Sequence, residues 1–179
     1  MIRRSTRWKA ISPAGFLLVL LCFGLPFLTF SCEGPTGTIS ADMTGWDMAF
    51  GGEPTMTATG VLDPEAMRSP DAPEEPIPVQ PLVLIAFAVV VAGVALSWMS
   101  RWIGIPVGVA AALLLIAGQG QVRPSLIADM REANDFPINL PESMFTYRYG
   151  YWTSLALLVG IAIYNVVEIV LSRRTPSPG

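Results

Sequence analysis

The stretch 81-PLVLIAFAVVVAGVALSW-98 carries no charge and is as long as one passage through a bilayer. A helix crosses the hydrocarbon core with about 20 mostly apolar residues, range about 17–25. Four residues later a second uncharged run follows, 103-IGIPVGVAAALLLIAG-118. Further out lie Ile11–Phe30 and Tyr151–Leu171, the latter with Glu168 as its only charge. The four runs predict an all-α membrane protein, a four-transmembrane-helix bundle. Its spans are expected at 11–30, 81–98, 103–118 and 151–171. A basic arm (1–10), an inner turn (99–102) and a tail (172–179) would face one side. Loops 31–80 and 119–150 would form a small extracytoplasmic cap, with a short β-hairpin within 32–60.

Composition agrees with that class. Of 179 residues, 52% are hydrophobic and 14% charged, against about 25% charged in soluble domains. The spans leave no room for a separate soluble domain with a large core. There is no histidine, which removes the commonest metal ligand and the usual proton switch near neutral pH. No pairing of nucleophile and base stands out, so the chain is expected to be non-enzymatic, without cofactor or metal and without a nucleic-acid partner. Asp42, Asp47 and Glu53 offer carboxylates, but their spacing matches no cation-binding loop. Cys22 and Cys32 would lie about 15 Å apart along one helix, too far to form a disulfide.

Charge asymmetry orients the chain. Arg3, Arg4, Arg7, Lys9, Arg101, Arg173 and Arg174 all fall on one side if four helices alternate, and the two loops opposite hold thirteen acidic and four basic residues. Lys and Arg near span ends favour the cytoplasm. The expected localisation is therefore the plasma (inner) membrane, multi-pass, with both termini cytoplasmic. Trp8, Trp98 and Trp102 would sit at the inner interface, and Phe145, Tyr147, Tyr149, Tyr151 and Trp152 at the outer one. The basic start, the apolar run and small residues at Thr29 and Ser31 also fit a secretory signal peptide broken by Pro26. An apolar stretch of 20 residues exceeds the usual 7–15 of such a signal, so a retained span is the preferred reading.

Within the loops, residues 62–80 alternate prolines with Asp63, Glu65, Asp71, Glu74 and Glu75, which predicts an extended acidic spacer. Ser125 is placed to cap a short amphipathic helix over 126–134.

Three groups of residues invite a role. Gly104, Gly108 and Ala112, with Ala156 and Gly160, have the small-residue spacing that lets membrane helices approach closely. They pack the bundle or, alternatively, join copies in a homo-oligomer. Tyr164, Asn165 and Glu168 form a polar patch near the inner end of the last span. Glu168 there either pairs with Arg101, Arg173 or Arg174 or serves transport, since ionisable groups in spans are functional suspects. Trp46, Asp47 and Phe50, between glycines in an acidic loop, either pack on the helix ends or dock a membrane or envelope partner. The leading expectation is an accessory, scaffold or sensing subunit embedded in the lipid bilayer. A small transporter or channel is the alternative.

The run Pro26-Phe27-Leu28-Thr29-Phe30-Ser31-Cys32, followed by Thr44-Gly45-Trp46-Asp47-Met48-Ala49, resembles a pattern of small bacterial four-helix membrane proteins. That resemblance implies a membrane bundle and no particular activity. The plan is also similar to that of claudin-like proteins, with four helices and a longer first outer loop, but their paired loop cysteines and tryptophan motif are missing.

Overall fold

The structure is a computed structural model that describes residues 11–34, 37–60, 78–99, 102–133 and 144–174. The basic arm, most of the acidic spacer, residues 134–143 and the last residues of the tail lie outside these. In chain order the elements are α1 (Ile11–Cys22), β1 (Pro26–Gly34), β2 (Gly37–Thr44), α2 (Gly45–Phe50), β3 (Thr55–Gly60), α3 (Pro81–Met99), α4 (Gly104–Ala133), β4 (Phe145–Tyr147) and α5 (Tyr149–Arg174).

The all-α expectation is thus corrected. The described residues form five helices and one four-stranded antiparallel sheet of order β3-β2-β1-β4. Three helices are long and apolar enough to cross a membrane: Pro81–Met99, Gly104–Val122 and Tyr149–Leu171. The first apolar run is not one helix. α1 has 12 residues, roughly 18 Å at about 1.5 Å per residue, short of a hydrocarbon core of about 30 Å.

The cause lies in Leu25-Pro26. Proline has no backbone donor, and its ring drives the preceding residue out of the α region. The helix closes with a tightened last turn, Gly24 N to Leu21 O at 3.1 Å and Leu25 N to Cys22 O at 3.0 Å. From Pro26 the aromatic and β-branched residues Phe27, Thr29 and Phe30 continue as a strand. β1 lies inside the sheet, with Leu28 opposite Met43 on one side and Tyr147 on the other.

Residues 126–134, expected as a separate helix, also read differently. α4 runs unbroken for 30 residues to Ala133, with Pro124 inside it. The local capping signal at Ser125 gives way to helix propagation, which adds one hydrogen bond for each residue fixed. Pro124 leaves only the Gly120 carbonyl without its usual partner.

Helices α1, α3, α4 and α5 pack side by side in a ring, each touching two neighbours. Their buried positions recur at helical spacing: Val83, Ala86, Val90, Gly93 and Ser97 on α3, and Tyr151, Ser154, Leu158, Ile161, Asn165 and Ile169 on α5. Outside that stripe the helices remain apolar. Ile85, Val91, Leu113, Ile116, Val159, Ile163 and Val167 are all exposed. Only 28% of the apolar stretches of α3 and α5 and 33% of that of α4 are buried. A helix that is apolar all round, yet buried on one narrow face, has lipid or protein on the others.

Candidate functional site

The two ends of the bundle differ in chemistry. At the sheet end α2 lies against the first turns of α3. Its start is a capping box: Asp47 N donates to Thr44 Oγ1 at 3.1 Å, and Asp47 Oδ2 accepts from Thr44 N at 3.0 Å and from Thr44 Oγ1 at 2.6 Å. Asp47 is therefore committed to local structure. Backbone bonds anchor the element at both ends, Trp46 N to Phe23 O at 2.9 Å and Gln80 N to Met48 O at 2.8 Å. Met48 and Ala49 face the core.

Trp46 and Phe50 stack on each other and flank Phe87 of α3, with ring centroids 5.4 and 5.2 Å away, and Phe23 meets the same ring at 5.3 Å. Phe87 is the hub of this cluster, a role not legible from its place inside a uniformly apolar run. Trp46 and Phe50 keep about half their surface exposed. They are packed on one side and available on the other.

On the opposite flank, Tyr151 donates to Gln119 Oε1 at 2.9 Å and Tyr147 to the Gln119 carbonyl at 3.1 Å. These bonds tie α4 to β4 and α5 beneath the cap. Phe27, Met48, Val83, Leu115, Gln119, Val122, Tyr147 and Tyr151 surround a cavity of about 10 Å³, the threshold for a single water. Below it the interior is apolar. Phe16, Val19, Val90, Ala111, Leu115 and Leu158 are all but fully buried.

The other end gathers polar groups. Asn165 is 1% exposed. Its Nδ2 donates to the Ile161 carbonyl at 2.8 Å and to Ser12 Oγ at 3.3 Å. Gly104 admits this contact, because a Cβ there would lie 2.8 Å from Asn165 Nδ2 and 3.1 Å from Ser12 Oγ. Asn165 Oδ1 and the Tyr164 hydroxyl are buried and have no hydrogen-bond partner among the described residues. Ser97, also buried, donates to the Val94 carbonyl at 3.1 Å. Glu168 lies one turn beyond Tyr164 on α5. The side chains of Arg101, Arg173 and Arg174, its expected partners, are outside the described residues.

Of the small residues, Gly104, Gly108 and Ala112 are buried in the bundle, with Gly108 facing the Leu158 carbonyl and Ala162 of α5. Ala156 and Gly160 instead face outward, and a Cβ on Gly160 would meet nothing within 4 Å.

One constellation had no sequence signature. Arg148 Nε donates to Thr29 Oγ1 at 2.7 Å, and the Thr29 hydroxyl in turn donates to Asp42 Oδ1. Its three residues come from β1, β2 and the link between β4 and α5. Only the sheet register brings them together, with Thr29 opposite Asp42 on one side and Thr146 on the other. Among the described residues no group of three Cys, Asp or Glu side chains is placed to hold a metal. No protein-family model matches the chain, and no curated protein matches it.

Proposed function

We propose that this chain is a multi-pass protein of the plasma (inner) membrane with both ends on the cytoplasmic side. In this reading it works as a non-enzymatic accessory, scaffold or sensing subunit that docks a membrane or envelope protein through its sheet end. The observation that carries the proposal is an apolar bundle interior beneath a cap whose outermost aromatics, Trp46 and Phe50, remain half exposed. Transport calls for polar groups at mid-membrane or broken helices lining a cavity; the described core around Phe16 and Leu158 is apolar, and the break at Pro26 is closed by strand pairing on both sides. The path of α1 supports the orientation. Ser12 lies beside Gly104 and Asn165, and Phe23 beside Phe87 at the other end. Beyond α1, Pro26–Leu28 adds roughly 10 Å of strand at about 3.3 Å per residue, which brings the crossing close to bilayer thickness. Strand backbone tolerates that depth only where it is hydrogen-bonded, and Leu28 has a strand on each side.

A photo-crosslinker at position 46 or 50, activated in native membranes, tests the docking role. Capture of one defined partner from position 46 or 50, but not from Ile163 on the outward face of α5, is the expected result. Equal or absent capture at both sites would rule it out. The transport reading retains one supporting observation, the two buried oxygens on Tyr164 and Asn165 that have no partner among the described residues. Glu168→Gln with unchanged membrane level and unchanged phenotype removes it.

A further inference from the structure

We infer that Arg148 is a binding site for the phosphodiester of an outer-leaflet phospholipid. The inference rests on the membrane reading above and adds a specific ligand to it. Among the described side chains Arg148 is the one lysine or arginine, and it is exposed. The carboxylates Glu33, Asp42, Asp47 and Glu53 share its end of the molecule, yet among the described residues none forms an ion pair with it. Its Nε is held by Thr29 Oγ1 at 2.7 Å. Thr29 is 2% exposed and donates its own proton to Asp42. The Thr29 oxygen therefore has only lone pairs left for Nε–H, which fixes the guanidinium in one direction. Asp42 acts through the hydroxyl and orients the cation without neutralising it by contact.

The backbone is pinned as well. Arg148 N donates to the Phe27 carbonyl at 2.9 Å. Gly150, two residues on, lets α5 press against β1, since a Cβ there would lie 2.6 Å from the Pro26 carbonyl oxygen. With Nε used, both Nη groups have no partner among the described residues and form a planar fork, the geometry that matches two oxygens of a phosphate. Height decides between phosphate sources. Arg148 immediately precedes the span Tyr149–Leu171. Tyr149 and Trp152 beside it are exposed, as aromatics at the headgroup level are. A phosphate at that level with acyl chains below it is a lipid, and the exposed apolar face of α5 offers those chains Val159 and Ile163.

The test uses the full chain purified in a neutral, phosphate-free detergent and titrated with phosphatidylglycerol, diacylglycerol or inorganic phosphate, with bound lipid read by native mass spectrometry. Phosphatidylglycerol is expected to bind better than diacylglycerol. Arg148→Gln is expected to weaken phosphatidylglycerol about ten-fold, the scale of one lost charged hydrogen bond, and to leave diacylglycerol unchanged. Thr29→Val, which keeps the shape and loses the Nε acceptor, should lie between wild type and Arg148→Gln. Equal phosphatidylglycerol binding by wild type and Arg148→Gln overturns the site, and so does inorganic phosphate that competes at the lipid's own concentration. Extraction of the chain without detergent would instead sink the membrane reading beneath it.

Discussion

Single residues decide where this chain changes direction. Gly150 is one: its missing side chain lets the first turn of α5 meet the strand at Pro26. Gly150→Ala is expected to cost about 1–3 kcal/mol, the range for overpacking against a neighbour that cannot give way. The measurement is thermal unfolding in detergent, and an unchanged midpoint would show that the contact yields. Gly104 works similarly beside Asn165 and Ser12, and there the sequence was informative, because the spacing of Gly104, Gly108 and Ala112 already marked a close helix contact. Ala156 and Gly160 have the same spacing yet face outward, away from the bundle. Spacing shows that small residues share a face but not which way the face points. The Arg148–Thr29–Asp42 chain was illegible for another reason. Its bonds join residues far apart in sequence, and nothing in the neighbourhood of any one of them announces the others.

At the level of elements, α2 is six residues long, too short to persist by itself in water. It exists because the capping box, two backbone anchors and the ring of Phe87 hold it. Phe87→Ala removes the surface on which Trp46, Phe50 and Phe23 converge. The expected loss is about 3 kcal/mol, the low end for Phe→Ala because the ring is only partly buried. The emission of Trp46 should also change as α2 loosens, and an unaltered spectrum with unaltered stability would refute the hub role. The helices α3 and α5 were legible to within three residues at each end, since an apolar run of about 20 residues with at most one charge is too long for a strand. The run Ile11–Phe30 was not, because hydrophobicity alone does not separate a buried helix from a buried strand. Pro26 and the aromatic and β-branched residues after it were the available signal. The sheet remained largely hidden, since Phe145–Tyr147 contributes a strand of only three residues whose partner is set by distant β1.

For the whole molecule, the proposed orientation makes a labelling prediction. Cys22 is buried in the bundle and Cys32 is exposed on the sheet, and neither is in a disulfide. A membrane-impermeant maleimide added from the extracytoplasmic side should modify Cys32 in a Cys22→Ser variant and leave Cys22 untouched in the Cys32→Ser variant. Labelling of Cys32 only after the cytoplasmic face is opened would reverse the topology. The position of β1 carries a further consequence for how the protein is made. One edge of Leu28 waits for Met43, which follows it closely, but the other waits for Tyr147, which leaves the ribosome only after α3 and α4. For most of translation an apolar strand therefore has an open side, and such a side pairs readily with any extended chain nearby. β1 is thus made early but completed late, and Leu28–Phe30 keep one open edge until Phe145–Tyr147 has been synthesised.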